Sequence, residues 1–216
     1  MNTTTEAPHP FHPALRALAQ GLSVLLHPLF IPVYILLFFL YESPFTVTLD
    51  AGQKGRLAIS FSLMYILFPL VTVLLAKGLG FVDSIRLQSQ KDRIIPYIGC
   101  TIYYFWMWYV LHKQGSFPEP LAWFSLAVFL ATSAGLVLNA WIKISMHALA
   151  AGVAVAFLYV LALHTPFSFG LYLSIGFFVT GLICTARLVT GDHNPFEVYA
   201  GLTVGAGAMA VAMAFA

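Results

Sequence analysis

The amino-acid sequence predicts an all-α protein: a polytopic membrane helical bundle of six to seven transmembrane helices. Three observations lead there. The 216 residues are 60% hydrophobic, and only 8% are charged, whereas a soluble domain carries roughly a quarter charged residues. Mean hydropathy is +0.88, too apolar for a water-facing surface. Uncharged stretches near the roughly 20 residues that cross a bilayer also recur along the whole chain.

Residues 1–15, with Pro8, Pro10 and Pro13, are expected to form a flexible tail, and residues 16–216 a single transmembrane domain. Seven apolar stretches follow: Leu18 to Leu40, Leu57 to Ala76, Ile94 to Leu111, Leu121 to Ile142, His147 to Leu163, Phe169 to Ala186 and Phe196 to Ala216. Lipid offers a backbone no hydrogen-bond partners, so each is expected to be helical. The first is too long for a signal-peptide core, yet it contains His27, Pro28 and Pro32. Those prolines predict a kink and leave a re-entrant segment open, with six crossings in place of seven. Gly201-x-x-x-Gly205 in the last stretch predicts close helix packing within the bundle. Cys100 and Cys184 fall inside spans and read as small apolar groups.

Three polar loops stand out: Lys77 to Arg93, Lys143 to Ser145 and Arg187 to Glu197. Two spans separate each from the next, so all three are expected on one membrane face. Apart from the carboxyl terminus, the other face receives residues 41 to 56 and the short turns KQGSFPEP and HTPFS. Ten of the eighteen charged residues lie in the three loops, and His193 and His147 join them. Headgroup anchoring explains a lone cation beside a span, but not paired histidines. A net charge of +2 gives no reason to expect a nucleic-acid partner.

The histidines and arginines stand at helix ends, where free N–H groups and the helix dipole favour phosphate. Phosphoryl transfer needs such a preorganised positive field, together with a nucleophile and an acid. Two histidines can serve, one attacking as a neutral base and the other donating to the leaving oxygen. Glu197, four residues after His193, falls on the same helical face and can orient the ring. In Asn194-Pro195-Phe196-Glu197 it also stands where a capping-box acid would. The adjacency of His193 and Arg187 favours orientation.

These residues resemble the signatures of the type 2 phosphatidic acid phosphatases, written K-x6-R-P, P-S-G-H and S-R-x5-H-x3-D. Ala186-Arg187-x5-His193-x3-Glu197 matches the third, Ile144-Ser145-Met146-His147 the second and, more loosely, Arg86-x6-Arg93-Ile94 the first. The order and the even helix count between motifs agree, so the likeness covers roughly residues 80 to 205. It departs at Met146, Ala186, Ile94 and Glu197, while every group with a proton or charge role is retained.

The resemblance implies His193 as the nucleophile forming a phosphohistidine, Glu197 as its orienting carboxylate and His147 as the acid. It further implies that Arg86, Arg93, Arg187, Ser145 and the Met146 backbone N–H hold the phosphate, with Lys91 as a substitute for Arg86. The family works without a metal or other cofactor. A metal reading of His147, His193, Asp192 and Glu197 is disfavoured by the cations around them. His27 reads as a buried structural histidine, and His112 and His164 as interfacial. The expected function is hydrolysis of a lipid phosphate or pyrophosphate. The alternatives are a lipid phosphotransferase and a non-catalytic lipid-phosphate binding or transport protein. Family tendency points to a bacterial inner membrane and an extracytoplasmic site.

Overall fold

The computed structural model describes residues 11–115, 117–165 and 168–215. Most of the expected tail, residues 1–10, lies outside that set, as do residue 116 and residues 166–167 of the two short turns. All secondary structure among the described residues is helical.

Pro13, expected in the tail, instead opens helix α1 (Pro13–Leu25), because proline suits the first helical position and the His12 ring accepts the Ala14 N–H. The first apolar stretch does not form one span. It breaks after Leu25 in a turn containing His27 and Pro28, and the chain resumes as α2 (Ile31–Glu42). Twelve residues rise only about 18 Å, short of the roughly 30 Å hydrocarbon core. Among the described residues, six helical runs are each long and apolar enough to cross a membrane, while the first stretch passes from one face to the other only as the broken pair α1 and α2.

The first crossing, Ala51–Gly78, consists of α3 (Ala51–Ser62), a π turn (Leu63–Leu67) and α4 (Phe68–Gly78). Asp50 and Gln53 close a capping box at its start. Only Phe68 separates the π turn from Pro69, whose ring would crowd a regular preceding turn and which offers no N–H to it. The other crossings are α5 (Gln90–Gln114), α6 (Glu119–Leu138), α7 (Met146–Leu163), α8 (Gly170–Val189) and α9 (Pro195–Phe215).

Helices α7 and α9 pack most closely, and glycine makes that possible. A Cβ at Gly152 would stand 2.3 Å from the Leu202 carbonyl oxygen, and one at Gly205 would stand 2.1 Å from that of Leu149. The expected packing role of Gly201-x-x-x-Gly205 is thus realised within the bundle, since Gly201 also meets the Ser145 backbone. Phe39, Phe61, Tyr65, Phe124, Phe157 and Met209 fill the core, each fully buried. Helix α1 lies against the carboxyl end of α8, with Ala19 among Ala186 and Val189. Helix α2 runs to the opposite face, where Phe38 meets Phe169 and Tyr172, and the Tyr172 hydroxyl donates to Glu42.

Candidate functional site

The three polar loops meet at one end of the bundle, as span counting predicts, and hydrogen bonds join them. Gln90 and Asn139 exchange side-chain amide to backbone carbonyl bonds, both 2.8 Å. The Arg93 guanidinium donates to the Leu87 and Ile144 carbonyls, both at 2.9 Å, tying the first loop to the second. The Ser145 N–H donates to the Glu197 carbonyl at 3.1 Å and Lys143 Nζ to that of Asp192, also at 3.1 Å, tying the second to the third. A buried arginine given two carbonyls holds backbone in place as well as carrying charge.

His193 sits where these ties converge. Its Nδ1 lies 2.8 Å from Glu197 Oε2 and 3.0 Å from the Lys143 carbonyl oxygen. An ionised carboxylate and a carbonyl only accept, so the proton of the neutral ring is on Nδ1 and the lone pair on Nε2. Burial holds this imidazole below its ordinary range, at about 4; Arg93 and Arg187 add to the effect, against the pull of Glu197. The ring is therefore neutral at pH 7.

The capping and orienting readings of Glu197 hold at once. Oε2, which accepts from His193, also accepts from the Asn194 N–H at 3.3 Å, while the Glu197 N–H donates to Asn194 Oδ1 at 2.9 Å. One carboxylate thus closes the first turn of α9 and fixes the ring beside it.

His147, at the start of α7, directs Nε2 at the Ser23 carbonyl oxygen, 3.0 Å away, which places a proton on that nitrogen. Arg187 donates Nη1 to Ser23 Oγ at 3.0 Å and Nη2 to Asp192. Both groups expected to meet phosphate are thus engaged by one residue of α1. His27, read from sequence as structural, lies beside His147 with ring centroids 5.3 Å apart, and its Nδ1 accepts the Leu29 N–H.

These groups border a cavity of about 670 Å³, within the usual range for small-molecule sites. Its polar end is lined by Arg86, Arg93, Lys143, Met146, His147, Arg187, Asp192 and His193, and its apolar end by Leu70, Cys100, Tyr104, Phe124, Leu149 and Val153. Six of the expected site residues therefore share it: Arg86, Arg93, Met146, His147, Arg187 and His193. Three do not line it. Lys91 is exposed elsewhere, and Glu197 stands behind His193. Ser145 is fully buried, and its hydroxyl caps α7 through the Ala148 N–H. Among the described residues, no three His, Cys, Asp or Glu side chains are placed to hold a metal ion.

Sequence reasoning passed over the fourth wall. Arg16, Gln20, Ser23 and His27 all line the cavity. Their spacing of four, three and four puts them on one helical face continued into the turn. That polar stripe within an apolar stretch was the signal available. No protein-family model, curated protein or solved structure matches the chain.

Proposed function

We propose that the chain is an integral membrane phosphatase, resembling the type 2 phosphatidic acid phosphatases, that hydrolyses a lipid phosphate or pyrophosphate through a phosphohistidine. The observation that supports it is the state of His193: a neutral ring with Nδ1 held by Glu197 and Lys143, its other nitrogen a lone pair, in a cavity edged by arginines. A nucleophile fixed by a carboxylate within a positive field is what phosphoryl transfer requires.

Substrate phosphate takes the place of Ser23 Oγ on Arg187, and the ester oxygen takes the place of the Ser23 carbonyl at His147. His193 Nε2 attacks phosphorus, and the bond from phosphorus to the ester oxygen breaks. His147, as the imidazolium, gives its Nε2 proton to that oxygen and is left neutral with a lone pair on Nε2. That lone pair takes a proton from water, whose oxygen attacks phosphorus; the P–N bond breaks, and His193 returns to its starting tautomer with release of phosphate. The apolar end of the cavity suits the lipid portion.

The resemblance to that family favours an extracytoplasmic site in a bacterial inner membrane, and the remaining charges do not oppose it. Outside the motif cations and Lys143, Arg16 and Lys77 lie on the site face against Lys54, Arg56 and Lys113 opposite, and the more basic face is the cytoplasmic one.

Purified protein in detergent, given phosphatidic acid and a chelator, tests the reading. Free phosphate is expected, undiminished by chelation, and His193→Ala is expected to lower the rate by about a thousandfold or more. Unchanged release from a folded His193→Ala protein would overturn it. Lipid binding without release would indicate a binding or transport protein, and phosphate appearing on an added lipid alcohol a phosphotransferase.

A further inference from the structure

We propose that His27 is a third histidine of the site, a substrate-binding residue whose Nε2–H donates to a non-bridging phosphate oxygen while His147 serves the ester oxygen beside it. The inference rests on the phosphatase reading and adds a residue to its site.

The tautomer of this ring follows from the turn it sits in. His27 Nδ1 accepts the Leu29 N–H at 3.3 Å, which requires a lone pair there, so the ring is neutral and its proton sits on Nε2. The backbone holds the ring in place. The His27 carbonyl accepts the Phe30 and Ile31 N–H groups at 2.8 and 3.3 Å, starting α2, and the Tyr34 hydroxyl donates to the Leu25 carbonyl at 3.0 Å, tying α2 back to the end of α1. The bond at Nδ1 is the one hydrogen bond of this side chain among the described residues, so the Nε2–H has no protein partner there while the ring lines the cavity. Inside a membrane bundle, such an N–H is uncommon and costly unless water or a ligand meets it.

Shaping the turn does not require an imidazole. Asparagine makes the same bond to the N–H two residues on with a shorter side chain, so what the longer ring adds is its far nitrogen. That ring stands edge to face with His147, centroids 5.3 Å apart and planes at 80°. Ser23, four residues earlier, meets His147 Nε2 with its carbonyl oxygen at 3.0 Å and Arg187 Nη1 with its hydroxyl at 3.0 Å. A phosphate that replaces Ser23 there enters beside His27, and its several oxygens let it face both rings and the arginine at once. A neutral donor suits a place next to Arg187, because it fixes the orientation of the anion without adding a cation that would repel the proton on His147.

Two substitutions separate the contact from the turn. His27→Asn keeps an acceptor for the Leu29 N–H and withdraws the reach of Nε2, whereas His27→Gln extends an amide N–H to a similar reach and gives up the turn acceptor. Purified full-length wild type and variants are given phosphatidic acid, with diacylglycerol release as the readout and inorganic phosphate as a competitive inhibitor. For His27→Asn, kcat/KM is expected to fall and the inhibition constant for phosphate to rise, each by about tenfold, at a melting temperature near that of wild type. His27→Gln is expected to recover most of both losses, even where its melting temperature is the lower. The reverse order, or wild-type behaviour in His27→Asn, confines His27 to the turn and overturns the proposal while His193-dependent hydrolysis stands. Should His27→Asn fail to fold, His27→Gln is compared with His27→Ala, which lacks both nitrogens: higher kcat/KM for His27→Gln upholds the contact, and parity overturns it. If wild type hydrolyses nothing, the phosphatase reading fails, and displacement of a fluorescent lipid phosphate by inorganic phosphate then decides: weaker phosphate binding to His27→Asn than to His27→Gln upholds the contact, and equal binding or none overturns it.

Discussion

At residue 197, folding and chemistry meet on a single oxygen, because Glu197 Oε2 accepts both from His193 Nδ1 and from the backbone N–H that its capping box closes. The two contributions separate under substitution. Glu197→Gln keeps an acceptor for the cap and loses the charge, so kcat is expected to fall by on the order of a hundredfold or more with little change in melting temperature. Glu197→Ala removes both and is expected to cost a further ~1 kcal/mol of stability, read by thermal unfolding in detergent. Equal rates for Glu197→Gln and wild type would show that His193 does not need the carboxylate charge. Because burial and two arginines keep the His193 pKa near 4, below its value of 6.5 in an unfolded chain, the folded protein binds fewer protons than the unfolded one between those limits. His193 therefore contributes a loss of stability as pH falls from 6.5 to about 4, and the melting temperature of His193→Gln is expected to decline less over that interval. The activity profile is expected to be bell-shaped, with attack requiring neutral His193 and donation requiring charged His147. A monotonic profile would count against the paired roles.

Among the elements, α7 and α9 depend on having no side chain where they cross. Gly205→Ala, whose Cβ would stand 2.1 Å from the Leu149 carbonyl oxygen, is expected to force the helices apart and cost about 1–3 kcal/mol, measurable as a lower melting temperature. Gly207→Ala meets nothing within 4 Å and serves as the control. These elements show what was legible in the sequence and what was not. Arg187, His193 and Glu197 lie within eleven residues that span the end of α8, a short turn and the start of α9, so the tightness of that turn keeps them together. Loop convergence followed from parity. The inward stripe of α1 was hidden because its meaning depends on the break near Pro28, which lays α1 against α8 and brings His27 to His147. Read as one continuous span, the same residues point nowhere in particular. Ser145 misled for a related reason: its hydroxyl can cap a helix or meet a ligand, and spacing does not distinguish them.

For the whole molecule, the single crossing Ala51–Gly78 that separates the 41 to 56 segment from the first motif loop places that segment and the site on opposite sides. In a background lacking Cys100 and Cys184, Phe81→Cys and Val47→Cys, both at exposed positions, report the two faces. An impermeant thiol reagent applied to intact cells is expected to label the first and to reach the second only after permeabilisation. The reverse pattern would put the site in the cytoplasm. The wall formed by α1 has one more consequence. A single helix, roughly 10 Å across, is all that separates a row of cations from hydrocarbon. Water could screen those charges from one side only, and the low dielectric beyond the leucines would confine their field lines to the cavity. Membrane thickness and packing against that helix thereby become part of the electrostatics, so that the bilayer itself sets how strongly an anion is drawn in.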